Sequence, residues 1–487
     1  MLFRSISAAS LLFLVSCSSA PGGVRDQPKP SLAPAGAPRL VVIQAGDLHG
    51  YIRAEDDVGG YARIAAYVAE QRAQADSSTD VLFVLAGDAA DKGALPCRKT
   101  QDRACFPLLK MIGVDIAVPG NHEFQARTGT DTLALFQASG LTWTAANVNS
   151  VLSQSPLPLA QFSYTGPRSG IDLAVWGWTS GKAGSGMTIR SAPNDADYRR
   201  LLGYAASGRP LLIVTHQEYE ADKALIGEAC RRGVKALALL KAHNHEVRAE
   251  SDSCMPLVEA GAQGRQVAKL VFAKTGLASL DWKLESHEFV NMDSSKPEQP
   301  EVAAEVAKLY RELAPEADER VLELTAPRDV DGVGAFLADA YRNVTHVDIA
   351  IVNRGAIKKP FKAGPLTRET LMQTIPYNNQ ILGLDWNLKD LEQSLCRASQ
   401  RALDPELDDG AELILSGGKL VDPGTSRCRL ETTRKGGSLK VGVDDYIVAH
   451  SERWLGRDLR KNGILFRFQV STEQALSRYA KLLQGKL

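Results

Sequence analysis

The chain is 487 residues long, more than one hydrophobic core usually serves, so more than one domain is expected. Lys plus Arg and Asp plus Glu each total 57, with 44% hydrophobic and 23% charged residues. That balance excludes a basic chain built to bind a nucleic-acid polymer and an acidic, disordered or ion-buffering one. At the N-terminus Arg4 supplies a short positive region ahead of an apolar run over 8–15. A helix needs about 20 apolar residues to cross a bilayer, so this run reads as a secretory signal.

Leu-Val-Ser-Cys at 14–17 closes the run and resembles the bacterial lipobox, whose cysteine is lipidated and becomes the first mature residue. The resemblance implies lipidation at Cys17 and an exported chain anchored at the outer membrane or cell surface. Residues 18–38 are rich in Ser, Pro, Gly and Ala, which suits a flexible tether. No other stretch is long and apolar enough to span a membrane, so the lipid would be the only membrane contact.

Short apolar runs at 40–45, 81–86, 116–119, 141–147, 173–178, 211–215 and 234–240 read as buried strands. Amphipathic segments at 61–74 and 133–138 lie between them. The alternation predicts a layered α/β domain over 39–285. A charged segment at 286–320, with a helical pattern at 300–311, is the expected connector. Helical patterns at 331–341 and 388–399 and a strand at 348–352 predict a second, smaller α/β domain over 321–487.

Only eight histidines occur, and five of them follow predicted strands. The first strand ends in Asp47-Leu48-His49, the second in Gly87-Asp88, and the third in Gly120-Asn121-His122-Glu123-Phe124. Later strands lead to His216 and to His243-Asn244-His245. Imidazole suits zinc, and carboxylate and amide oxygens also suit manganese or magnesium, so the set fits a centre for two divalent ions. Two ions about 3.5–4 Å apart need a bridging ligand, and Asp88, the first acid at its strand end, is the natural one.

The order of these blocks resembles the calcineurin-like metallophosphoesterases, specifically the 5'-nucleotidase family. The likeness extends to Gly59-Gly60-Tyr61-Ala62-Arg63 and to Ala260-Gly261-Ala262-Gln263-Gly264. It implies a layered αββα sandwich followed by a substrate-binding domain. It assigns Asp47, His49, Asp88 and His245 to one ion, zinc or manganese, and Asp88, Asn121, His216 and His243 to the other. Catalysis would rest on Asn121 and His122, with a metal-activated hydroxide attacking phosphorus and His122 stabilising charge on the phosphoryl oxygens. In the family an Asp that orients the histidine often follows Asn-His-Glu-Phe; here Gln125 stands in its place. A neutral amide is expected to orient His122 while supporting a charged ring less.

The second domain resembles the family's substrate domain. Asn353-Arg354-Gly355-Ala356-Ile357-Lys358 stands where the family reads Asn-Gly-Gly-Gly-Ile-Arg, and Pro376-Tyr377-Asn378-Asn379 resembles Pro-Phe-Gly-Asn. The resemblance implies phosphate contacts from Arg328, Arg354 and Lys358, with Asn353 beside them. It implies a nucleobase sandwiched between Tyr377 and Trp454. The implied substrate is a small phosphorylated molecule, a nucleotide by the family pattern, and no obligate protein partner is evident. Rival readings keep the fold with another leaving group, as in nucleotide-sugar, cyclic-phosphate or thiosulfohydrolase relatives, or keep the metal without turnover.

Apart from Cys17, six cysteines remain, an even number that suits disulfides in an exported chain. Many pairings are open; joining nearest neighbours gives Cys97–Cys105, Cys230–Cys254 and Cys396–Cys428. Stable anchoring requires acyl chains. Cys17→Ser is therefore expected to release soluble protein or leave an unprocessed precursor on fractionation; normal processing with full membrane association would contradict lipidation.

Overall fold

The computed structural model describes residues 36–485 apart from 92, 126, 151–161, 183, 252, 403–411, 434–436 and 463–464. Cys17, the expected signal and nearly all of the expected tether lie outside the described residues. No described helix is long and apolar enough to cross a membrane.

The first half is built on two six-stranded sheets. One runs in the order Trp282–Asn291, Gln266–Lys274, Arg39–Ala45, Thr79–Ala86, Ile116–Val118, Thr142–Trp143. The other runs Val247–Glu250, Leu257–Ala260, Ala238–Ala242, Leu211–His216, Asp172–Thr179, Phe162–Thr165. The central strands of each are parallel, so their C-terminal ends gather along one edge of the sandwich.

Alternation along the strands explains the layering. Leu40, Val42, Leu82 and Val84 meet Leu212, Val214 and Leu240 between the sheets. Val41, Ile43, Phe83 and Leu85 point the other way, onto helices Tyr61–Gln74, Phe106–Met111, Gly129–Ser139 and Pro300–Leu313. Trp176, Trp178 and Ile213 likewise face helices Asp195–Ala206 and Tyr219–Arg231 on the far side. The result is the expected αββα sandwich. Both faces of each sheet are buried, which is why these strands read as nearly continuous apolar runs.

The second domain has a five-stranded sheet, ordered Leu413–Ser416, Ile349–Asn353, Ser438–Asp444, Gln380–Asn387, Leu465–Ser471. Ala350 and Val352 pack toward helices Val330–Thr345 and Thr472–Gln484. Ile349 and Ile351 pack toward helices Leu388–Arg401 and Asp445–Leu455.

Three boundaries differ from the sequence expectation. The run at 141–147 pairs only over Thr142–Trp143. The strand expected at 234–240 is Ala238–Ala242, because Val234 is a buried anchor of the preceding helix end, its N–H bonded to Ala229 O at 2.9 Å. The strand Trp282–Asn291 runs through the boundary expected at 285, pairing Gln266 with Asn291 and Leu270 with His287. Its alternation is weak because the edge strand has few buried residues.

The two domains are fastened by side chains from the first. Arg53 bonds Asp318 at 2.7 Å and also Glu369, and Arg98 donates to Met372 O at 2.9 Å and Pro376 O at 2.8 Å. Three disulfides join Cys97–Cys105, Cys230–Cys254 and Cys396–Cys428, the nearest-neighbour pattern. Replacing both Cys230 and Cys254 by Ser is expected to cost about 2–4 kcal/mol of stability. Denaturant unfolding measures this, and an unchanged midpoint would contradict the bridge.

Candidate active site

The residues singled out at strand ends converge on one cluster at the C-terminal edge of the sandwich. Their loops are stitched together by backbone bonds, Asp47 N–H to Gly87 O at 2.9 Å and His49 N–H to Asp88 O at 2.8 Å. Asp47, His49, Asp88, His243 and His245 all sit at positive φ, between 48° and 106°. Non-glycine residues adopt that region at a cost, and it is tolerated where the surroundings over-determine the backbone. Gly120 and Gly87 allow the close approach: a Cβ on the first would collide with Asp88 Oδ1, and on the second with the His216 ring.

Two overlapping groups result. In the first, His49 Nε2 lies 3.1 Å from His245 Nε2 and 3.7 Å from Asp47 Oδ1, while His245 Nε2 is 3.4 Å from the same oxygen. In the second, His216 Nε2 lies 3.2 Å from His243 Nδ1, 3.2 Å from Asn121 Oδ1 and 3.1 Å from Asp88 Oδ2. Asp88 Oδ2 is also 3.9 Å from His49 Nε2, so one carboxylate oxygen faces both groups. All seven expected ligand residues are therefore brought together. His122 joins them, its Nε2 3.9 Å from Asp88 Oδ2.

This donor set fits divalent cations. Asp47 Oδ1 is buried with no hydrogen-bond partner, and ring nitrogens of neighbouring histidines are turned toward each other. Buried polar atoms are seldom left so. Burial works against charge on Asp88 and on His216, but their mutual attraction outweighs it. Asp88 is held far below the ordinary carboxylate range, and His216 is raised to about 10, with Asp47 adding to the effect. Two buried carboxylates thus draw positive charge into the cluster, the charge a divalent ion supplies.

Residues that sequence reasoning passed over support the cluster. Glu123, fully buried, accepts N–H bonds from Asp88 at 3.0 Å, Ala90 at 2.9 Å and Gly120 at 2.6 Å. Burial first, then the charge on Asp88, raises its carboxyl to about 7. Lys241 and Glu259, both fully buried, pair at 2.9 Å and brace the His243–His245 turn through Asn244, bonded to each of them. The group on His122 is also new. Its Nδ1 bonds Asp91 Oδ2 at 2.9 Å, so a carboxylate orients this ring and not the exposed Gln125 expected from the sequence.

The second domain contributes a cavity of about 390 Å³ lined by Asn353, Lys358, Tyr377, Asn379, Tyr446 and, from the first domain, Gln125. Tyr377 and Gln125 also line a neighbouring cleft of about 330 Å³ that includes Asp91. Lys358 Nζ sits 5.3 Å over the Tyr377 ring. Three expected substrate residues fall elsewhere. Trp454 is 1% exposed, buried in the core under Tyr446 and stacked on His450, so its ring does not reach the cavity. Tyr446, two helical turns earlier and 43% exposed, lines the cavity together with Tyr377. Arg354 is paired with Asp331 at 2.7 Å and Glu412 at 3.2 Å. Arg328 lies over the Phe336 ring at 5.4 Å, its backbone bridged to Phe361. Neither is among the residues lining these two hollows.

Comparison with known proteins agrees with this geometry. Residues 40–221 match calcineurin-like phosphoesterases, and residues 314–417 match the 5'-nucleotidase C-terminal domain. Endonuclease YhcR of Bacillus subtilis (strain 168) is 24% identical over 439 residues, which are 80% of this chain and 35% of YhcR, so the chain spans about a third of that relative. The 5'-nucleotidase precursor from Thermus thermophilus has a TM-score of 0.72 at 17% identity, covering 91% of this chain and 96% of that one. Sulfate thiohydrolase SoxB of Thermus thermophilus has a TM-score of 0.67 at 13% identity, covering 91% and 94%. At such identities the structural likeness shows the fold. With a calcineurin-like phosphoesterase domain, a 5'-nucleotidase C-terminal domain and the histidine–carboxylate cluster between the loops, the chain belongs to the 5'-nucleotidase family of metal-dependent phosphoester hydrolases.

Proposed function

We propose that this protein is an exported, lipid-anchored enzyme that holds two divalent ions, zinc or manganese, and releases phosphate from a nucleotide-like substrate. The observation that carries the reading is the continuity between sites. Gln125 and Tyr377 line both the cleft at Asp91, next to His122, and the aromatic cavity of the second domain. A substrate with a phosphate at one end and a planar ring at the other spans such a path.

Asp47, His49, Asp88 and His245 would hold one ion, and Asp88, Asn121, His216 and His243 the other. Bound there, divalent ions polarise phosphoryl oxygens and make water a stronger nucleophile. The chain's own residues do the rest. His122 directs Nε2 toward the cluster, where it offers a proton to an oxygen on which charge develops. Lys358 supplies a positive charge at the cavity, though without the bidentate fork of arginine. Tyr377 and Tyr446 offer faces for a planar base. Three disulfides suit an oxidising compartment and support export.

Asp88→Asn keeps an oxygen to accept the His122 N–H bond but removes the charge facing both groups. It is expected to fold, to lose at least one bound metal by elemental analysis, and to lose nearly all turnover. Full metal content with full activity would contradict the two-ion reading.

Stacking on a base is worth about 1–3 kcal/mol, so losing one ring weakens binding about 5- to 150-fold. Tyr377→Ala and Tyr446→Ala are each expected to raise KM for a nucleoside monophosphate while sparing p-nitrophenyl phosphate. Unchanged KM on both substrates would remove these rings from the binding site. Trp454→Ala should instead act as a core deletion, costing about 3–5 kcal/mol of stability.

A further inference from the structure

The two groups of ligand residues are not equal in charge. Asp47, His49 and His245 bring the first a carboxylate of its own. Asn121, His216 and His243 leave the second only its share of Asp88. A further carboxylate stands directly behind this second group. Glu218 Oε1 lies 3.0 Å from His243 Nε2, the ring nitrogen left over when Nδ1 faces His216 Nε2 at 3.2 Å.

That contact is prepared from both sides. Glu218 follows His216 by two residues, and the turn is pinned by Gln217, whose buried amide donates to buried Asp222 Oδ1 at 2.8 Å. On the other side the buried pair Lys241–Glu259 fixes Asn244, whose N–H donates to Glu259 Oε1 at 3.0 Å. The Lys241 ammonium can only donate, so the atom it meets at 2.6 Å is the Asn244 side-chain oxygen. The Asn244 amide nitrogen must then point away from Lys241, and it donates to Glu218 Oε2 at 3.1 Å. Each oxygen of Glu218 thus meets a nitrogen of the His243–Asn244 turn. His243 itself is at φ +106°, a torsion that a non-glycine residue keeps where its surroundings hold it.

We propose that Glu218 is the positioning residue for His243, giving the second ion, at one remove, the carboxylate that its own ligand group lacks. A histidine that binds a metal through one nitrogen carries its proton on the other. A carboxylate accepting that proton fixes the ring and makes it a better ligand. The buried Lys241–Glu259 pair, costly to desolvate, sets the amide that holds Glu218 in place. The inference rests on the two-ion reading.

Manganese(II) alone, titrated into the full metal-free protein and followed by calorimetry, tests the two separately. Wild type should bind two ions; fewer would overturn the two-ion reading and this inference with it. Outer partners of metal-binding histidines are worth about 10–100-fold in affinity, so Glu218→Ala should weaken one binding step by about that much and leave the other within about twofold. Glu218→Gln keeps an oxygen for the His243 N–H but loses the charge, and should fall between Glu218→Ala and wild type. Glu220→Ala, which removes an exposed acid two residues further on, should match wild type. Anomalous diffraction from Glu218→Ala crystals at limiting manganese should retain the peak beside Asp47, His49 and His245 and weaken the one beside His243. In a protein that binds two ions, steps that are unchanged or fall together in Glu218→Ala would overturn the role of Glu218 and leave the two-ion reading standing. An equal loss in Glu220→Ala would overturn it as well, since any nearby negative charge would then suffice.

Discussion

Two buried carboxylates, Asp47 and Asp88, impose the constraint on which the rest of this site depends. Buried charge is expensive unless it is paired, and these two acids are ringed by histidines whose nitrogens face inward. The backbone accepts unusual torsions to make that ring: five of the expected ligand residues lie at positive φ. Glycines at 87 and 120 let loops approach where any side chain would collide with a ligand group. Strain, burial and unsatisfied oxygen are all accounted for if positive charge occupies the cluster, and all are hard to sustain otherwise.

Around that centre a single loop does several jobs. The segment closed by Cys97–Cys105 carries Asp102, which holds the amide of Asp91, and Arg98, which grips the carbonyls of Met372 and Pro376. The orientation of His122 and the docking of Tyr377's turn are therefore set from one short, cross-linked element of the first domain. Coupling of this kind places the second domain's cavity beside Gln125 of the first, close in sequence to His122.

Much of this was legible in the sequence because it is written in short-range patterns. Strands buried on both faces give continuous apolar runs, and ligands placed just after them fall into compact words such as Asp47-Leu48-His49 and His243-Asn244-His245. The order of those words pointed to the fold. What sequence reasoning passed over depends on tertiary distance. Asp91 is one more acid in a loop until the chain folds His122 onto it from 31 residues away. Arg328 and Arg354 match a motif position but find a ring and two acids nearby, and these occupy their charge. On the helix Asp445–Leu455, Tyr446, His450 and Trp454 recur every four residues and lie ring against ring, the first pair tilted and the second stacked. Only burial distinguishes the inner ring from the outer, so Trp454 was credited with a place on the cavity wall that Tyr446 holds.

The account stands or falls on what lies among the histidines. Anomalous diffraction from crystals of the purified protein, collected above the zinc and manganese absorption edges, locates such ions directly. It should show two peaks that share Asp88, one beside Asp47, His49 and His245 and the other beside Asn121, His216 and His243. A well-ordered cluster with no peak, in protein purified without chelators and supplied with either metal, would contradict it.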